Sequence, residues 1–153
     1  MRTGHLFICF ILFFFGIGFI FAFNKNYPIN PYGFSGLLTG NAQISGNTND
    51  LISFSIPAGG KVSGVVSFQG IVKGGYFFEA NILINILDQN KTLVRQSNAI
   101  AMTDWMTTEP VTFEGSLDFG GLPKGKAYIE IHNDNASGLP EHDKNILIPI
   151  VIE

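Results

Sequence analysis

Val111-Thr112-Phe113-Glu114-Gly115-Ser116-Leu117-Asp118-Phe119 alternates apolar and polar residues along most of its length. Side chains of an extended strand point to opposite faces in turn. Val111, Phe113, Leu117 and Phe119 therefore share one face, and Thr112, Glu114, Ser116 and Asp118 the other. One apolar and one polar face is the mark of an antiparallel sheet with one side packed and one side wet. The same period recurs outward from this stretch. Downstream, Ala127, Ile129 and Ile131 oppose Tyr128, Glu130 and His132, and Ile146, Ile148, Ile150 and Ile152 fall on one side of the last segment. Pro149 cannot donate a ladder hydrogen bond, which suits an edge or a switch between sheets. Upstream, Tyr76, Phe78, Ala80, Ile82, Ile84 and Ile86 read as one apolar face, and Val62, Val66 and Phe68 as another. Ile52, Phe54 and Ile56 alternate with Ser53 and Ser55. Between the Asp88-Gln89-Asn90-Lys91 turn and Met102 lies a less regular strand with room for a bulge. About seven short strands with turn residues between them, and no helical period, predict an all-β immunoglobulin-like antiparallel β-sandwich over residues 51–153.

The chain of 153 residues is long enough for one such domain. Its composition is 46% hydrophobic and 14% charged, but the average conceals a segregated N-terminus. The eighteen residues from Leu6 to Phe23 carry no charge and hold eight of the 15 Phe. This length just reaches that of a membrane-spanning helix. Arg2 precedes the run and only Lys25 follows closely, a bias that places the N-terminus inside and the domain outside. The cleavage pattern after Ala22 is poor for a signal peptide, so residues 1–23 are read as an uncleaved anchor, with secretion after cleavage as the alternative. Residues 24–50, mixing Asn, Gly, Pro and Tyr without period, are expected to form a flexible tether. The expected localisation is the cell membrane, single-pass, with the domain extracytoplasmic.

Cys9, the one cysteine, falls within the apolar run, so no disulfide is expected in the exported part. Beyond residue 23, eight Lys/Arg face 12 Asp/Glu. A mildly acidic domain without a basic stripe argues against nucleic acid as partner. The scattered glycines form no nucleotide-binding motif, and no cofactor is expected.

Three segments combine large apolar residues with carboxylates where strands meet loops. They are Gly75-Tyr76-Phe77-Phe78-Glu79-Ala80, Asp104-Trp105-Met106-Thr107-Thr108, and Asn135-Ala136-Ser137-Gly138-Leu139-Pro140-Glu141-His142-Asp143. In this order they resemble the motifs of the bacterial spore germination immunoglobulin-like domain, over about residues 51–153. Thr103 replaces the glycine usual before Asp104, Ala136 stands where proline is usual, and His142 where asparagine is usual. The resemblance implies an exported, membrane-attached bacterial protein with an immunoglobulin-like fold, linked to spore germination or cell-wall processes; it implies no reaction.

The candidates for a binding surface or structural clamp are Glu79, Trp105, Met106, Asp134, Asn135, Ser137, Gly138, Leu139, Pro140, Glu141 and Asp143. Glu79 is expected to face away from the core and to accept hydrogen bonds from the Asn135–Asp143 backbone, drawing the three segments to one end of the sandwich. Trp105 reads as a core plug, or alternatively as a stacking platform for a sugar or peptide. The oxygen-bearing residues of the last segment lack the order of a calcium loop, and its Gly and Pro mark a shaped turn. His132 and His142 have no further soft ligands at zinc spacing, so no metal is expected. Glu79 and Glu141 can be paired as two carboxylates only on paper, and no nucleophile motif accompanies them. The expectation is a non-catalytic module at the cell envelope that binds an envelope protein or cell-wall component and contacts the membrane through residues 6–23. The alternative is a small-ligand or glycan-binding module.

Overall fold

The computed structural model describes residues 42–153, and the fold they form is all-β and largely antiparallel. Nine strands follow one another: β1 (Ser45–Gly46), β2 (Leu51–Phe54), β3 (Gly60–Val62), β4 (Val65–Lys73), β5 (Asn81–Asp88), β6 (Leu93–Ala101), β7 (Pro110–Asp118), β8 (Gly125–His132) and β9 (Asn145–Ile152). Short 3-10 turns occupy Thr48–Asp50, Gly74–Tyr76 and Pro140–His142. Nine strands are found where about seven were expected, because β1 and β3 are too short to show a period. Ser45 and Gly46, inside the stretch expected to be tether, pair with Leu147 and Ile146. The expected N-terminal hydrophobic helix and most of the tether lie outside the described residues. Among the described residues no helix is long and apolar enough to cross a membrane.

Hydrogen bonding links the strands in the order β1-β9-β8-β5-β6-β7-β4-β2, with β3 added in parallel to β9. The sheet curls into a half-barrel, so side chains from its two ends, Phe54 of β2 and Ile148 of β9, enter one core. The join in the middle is slight. Strand β6 pairs with β5 along its length but with β7 only at Ala99, Ile100 and Ala101. Beyond that point side chains bridge the widening gap: Arg95 donates to the carbonyls of Asp118 and Gly120, and Ser97 Oγ to that of Ser116 at 3.3 Å.

The core follows the alternation in most strands. Val111, Phe113, Leu117, Ile129, Ile131, Ile146 and Ile148 are fully or almost fully buried. Two cross-strand pairs place a glycine opposite an aromatic ring, Gly70 with Phe113 and Phe68 with Gly115. A Cβ on Gly70 would fall 2.4 Å from the Phe113 ring, so the missing side chain makes room for that ring. Pro149 sits where the outer partner of β9 changes from antiparallel β1 to parallel β3. The missing donor there costs no ladder bond, and its carbonyl accepts the amide of Gly59 at 2.7 Å.

Two phases differ from expectation. A register shift between Leu51 and Ser53 turns Ile52 outward, leaving it 45% exposed. The expected continuous face from Tyr76 to Ile86 is interrupted, since the chain turns twice before β5 begins. Tyr76 and its neighbour Phe77 are both buried, whereas Phe78 is 43% exposed. The irregularity expected after Thr92 is present as a shift between Ile86 and Leu87, which leaves Val94 of β6 without a partner on β5.

Candidate functional site

The three segments meet around the Gly74–Tyr76 turn. Gly74 N–H donates to the carbonyl of Glu109 at 2.9 Å, tying the turn to the loop that carries Trp105. Asp134 N–H donates to the carbonyl of Tyr76 at 3.2 Å, tying the same turn to the loop before β9. Lys144 Nζ stands over the Tyr76 ring, 5.8 Å from its centroid. From below, Tyr76 Oη donates to Asp50 Oδ2 at 3.4 Å, while Lys73 Nζ pairs with Asp50 Oδ1 at 2.8 Å. Burial of the Tyr76 ring, with the neighbouring Asp50 charge and hydrogen bond, pushes its hydroxyl well above the ordinary tyrosine range.

Glu79 does not clamp the Asn135–Asp143 loop. It is the first central residue of a two-residue turn closed by Phe78 N–H to Asn81 O at 3.0 Å and Asn81 N–H to Phe78 O at 2.9 Å. Both central residues have positive φ, 47° at Glu79 and 62° at Ala80, and the Glu79 side chain is exposed. The expectation failed because it treated residues 75–86 as one continuous strand. Asn133 takes the clamping role instead. It is buried, its Nδ2 donates to the carbonyl of His142 at 2.9 Å, and its Oδ1 accepts the amide of Lys144 at 2.8 Å.

The Asn135–Asp143 loop spends its polar groups on itself. Asn135 Nδ2 donates to the carbonyl of Leu139 at 2.8 Å and to Asp143 Oδ1 at 2.7 Å, which fixes the orientation of its amide. Asn135 Oδ1 then accepts the Ser137 hydroxyl at 2.6 Å. Ser137 Oγ also lies 3.0 Å from His142 Nδ1 and receives Leu139 N–H at 3.2 Å. Since the hydroxyl has given its one proton to Asn135, His142 must donate from Nδ1. That is the reverse of a serine poised to lose a proton to a histidine base, and the pair is a structural joint. Gly138 supplies the left-handed turn at φ 65°. Leu139, Pro140 and Glu141 are exposed on the loop surface. Among the described residues no group of three His, Cys, Asp or Glu stands ready for a metal ion.

Trp105 is half-buried and packs against the core, while Met106 beside it is 77% exposed. Asp104 Oδ1 accepts Met106 N–H at 3.1 Å and Thr107 Oγ1 accepts Glu109 N–H at 3.1 Å, so local caps shape this segment.

What the turn does create is a groove of about 410 Å³ on the outer sheet face, where Phe78 and Glu79 meet Asn81 and Leu83 of β5, Gln96, Ser97 and Asn98 of β6, and Asp134. Asn98 Nδ2 donates to Asn81 Oδ1 at 3.1 Å, and Asn81 Nδ2 to the carbonyl of Glu79 at 2.9 Å. Of the expected site residues, Glu79 and Asp134 line this groove. Phe78, Asn81, Gln96 and Asn98 were missed. The readable signal was the set of amides at outward positions of two adjacent strands; the misplaced phase of Phe78 hid its part. A second cavity, about 250 Å³, opens between β2 and the start of the described chain and is lined chiefly by apolar residues including Ile44, Leu51, Phe54 and Ile148.

Comparison with protein-family models, with curated proteins and with solved structures finds no match.

Proposed function

We propose that the chain is a non-catalytic, extracytoplasmic interaction module of the bacterial cell envelope, held to the membrane by residues 6–23. The observation that carries this reading is the Phe78–Asp134 groove, an open polar and aromatic face supported from behind by the Gly74–Tyr76 hub. A rigid scaffold that presents such a face, while the nearby Ser137–His142 pair is locked in a structural role, suits binding better than turnover. At finer detail we read the curled sheet as the two halves of an immunoglobulin-like sandwich, a reading that rests on the resemblance of the three segments. In it one half is β1 and β3 on β9, then β8, β5 and β6, the other is β7-β4-β2, and the two are joined by three residue pairs between β6 and β7. The link to spore germination or cell-wall processes rests on the resemblance of the three segments.

The test has two arms. Protease treatment of intact protoplasts should remove the domain and leave the anchor. Envelope extracts should yield a component retained by the wild-type chain and lost with Phe78→Ala. A domain protected inside the cell, or turnover of peptidoglycan fragments by the purified chain, would overturn the proposal. The second reading, a small-ligand or glycan-binding module, is favoured by the amides that line the groove beside Phe78. In it Phe78 replaces Trp105 as the stacking platform.

A further inference from the structure

We infer that the Phe78–Asp134 groove takes an oligosaccharide containing an unacetylated, protonated amino sugar; this rests on the reading of the chain as a binding module. The groove offers many acceptors and few donors. Glu79 and Asp134 bring two carboxylates, and among the described residues neither carboxylate is hydrogen-bonded or ion-paired. Asn98 uses a donor on Asn81, so its own oxygen is left for a ligand, and Gln96 is exposed with both ends of its amide uncommitted among the described residues. No lysine or arginine lines the groove. A ligand that fits this inventory must donate hydrogen bonds and carry no negative charge. Hydroxyls and an ammonium group meet both conditions.

A shortage of donors continues along the same face. Asn85, next after Leu83 on the outward side of β5 and opposite Gln96, is 8% exposed. Its Nδ2 donates to Glu130 Oε2 at 2.9 Å, but its Oδ1 has no partner among the described residues. Phe78 adds a 43%-exposed ring, with Leu83 beside it, against which the C–H face of a pyranose can lie. A basic peptide shares the charge of an amino sugar but needs main-chain partners. The backbone of Leu83 in the groove is already paired with β6 and β8, while Asn81 and the Gln96–Asn98 stretch of β6 are strand-paired on one side only, so trilysine is the probe that separates a peptide from a sugar held by the amides, carboxylates and ring.

The test is calorimetric titration of the full chain in detergent micelles at mildly acid pH, where amino-sugar nitrogens are protonated. The probes are a β-1,4-linked glucosamine tetramer, its fully N-acetylated counterpart and trilysine. The glucosamine tetramer should bind, and acetylation should weaken binding roughly tenfold or more, the scale of losing one charged hydrogen bond. Glu79→Gln and Phe78→Ala should each weaken it at least several-fold without changing the unfolding temperature, while Glu153→Gln, just past the end of β9 that lies away from the groove, should leave it unchanged. Equal binding of trilysine, or binding indifferent to both groove variants, would overturn the inference. No glycan binding alongside a retained envelope protein that needs Phe78 would also overturn it and leave the module reading standing. The loss of both would remove both.

Discussion

Asn133 joins the two ends of the loop before β9 by donating from Nδ2 to the carbonyl of His142 at 2.9 Å. Its Oδ1 accepts Lys144 N–H at 2.8 Å and its own amide donates to the carbonyl of Lys144 at 3.1 Å. One buried side chain thereby satisfies two backbone groups that would otherwise lie half-buried without partners. Asn133→Ala should therefore destabilise residues 42–153, expressed alone, by about 1–3 kcal/mol in urea unfolding. Glu141→Ala on the exposed loop surface should change stability by about 0.5 kcal/mol or less. Equal effects at the two positions would show that the loop is not held through Asn133.

Gly74 and Gly75 are neighbours with opposite tolerances. A Cβ on Gly74 would lie 1.8 Å from the carbonyl oxygen of Thr107 and 2.7 Å from its carbon, both backbone atoms. A Cβ on Gly75 would meet only the end of the flexible Lys144 side chain, at 3.3 Å. Gly74→Ala should force the Trp105 loop away from the hub and cost at least the roughly 1–3 kcal/mol typical of overpacking. Gly75→Ala should remain within about 0.5 kcal/mol of wild type. Thermal unfolding of the two variants decides the matter, and a well-tolerated Gly74→Ala would break the proposed link between the segments.

The strands were legible where long alternation met one buried face, as in Val111–Phe119, Ala127–Ile131 and Ile146–Ile152. Legibility failed where the backbone changed parity. The Gly74–Tyr76 turn and the Glu79–Ala80 turn lie within a run of apolar residues, and alternation continues through them in the sequence although the chain bends in space. Ile52 was misplaced for a similar reason, a register shift at Leu51–Ser53. Strands β1 and β3, of two and three residues, were illegible because they exist only through pairing with β9. The Asn135–Asp143 segment was readable as a shaped turn from its Asn, Ser, Gly and Pro. The groove was not, because it depends on Asn81 and Asn98 becoming cross-strand neighbours and on Asp134 arriving beside them.

Tyr76 should make the fold sensitive to alkali. Burial first, and Asp50 second, hold its hydroxyl protonated in the folded chain at pH values where the unfolded chain releases the proton. The unfolded tyrosine titrates near pH ~10, so the stabilisation is fully present below that value and is lost as pH rises through it toward the folded value. Tyr76→Phe removes this linkage. At neutral pH it forfeits only the 3.4 Å bond to Asp50, which keeps its pairing with Lys73. The difference in unfolding free energy between wild type and Tyr76→Phe should be small near pH ~7 and shift in favour of the variant above pH ~10. Parallel curves across the alkaline range would refute the assignment.

The Glu79–Ala80 turn offers a prediction of opposite sign. A two-residue hairpin turn with positive φ at both central positions favours Asn-Gly, because a Cβ in left-handed backbone crowds the following carbonyl. This chain places Glu at φ 47° and Ala at φ 62° there, held by the paired Phe78–Asn81 hydrogen bonds, the bond from Asn81 Nδ2 to Glu79 O at 2.9 Å, and that from Ala101 N–H to Ala80 O at 2.9 Å. Ala80 carries no side chain beyond Cβ, so Ala80→Gly removes strain and forfeits little packing. The variant should be more stable than wild type by about 1 kcal/mol, less the extra backbone entropy glycine has in the unfolded chain. Ala80→Val, which adds β-branching to the same backbone, should be less stable than wild type. Urea unfolding of the three proteins gives the order directly: Gly above Ala above Val supports the left-handed turn. An order with Ala highest would mean the turn is relaxed in solution and does not hold Phe78 and Glu79 at the groove as described.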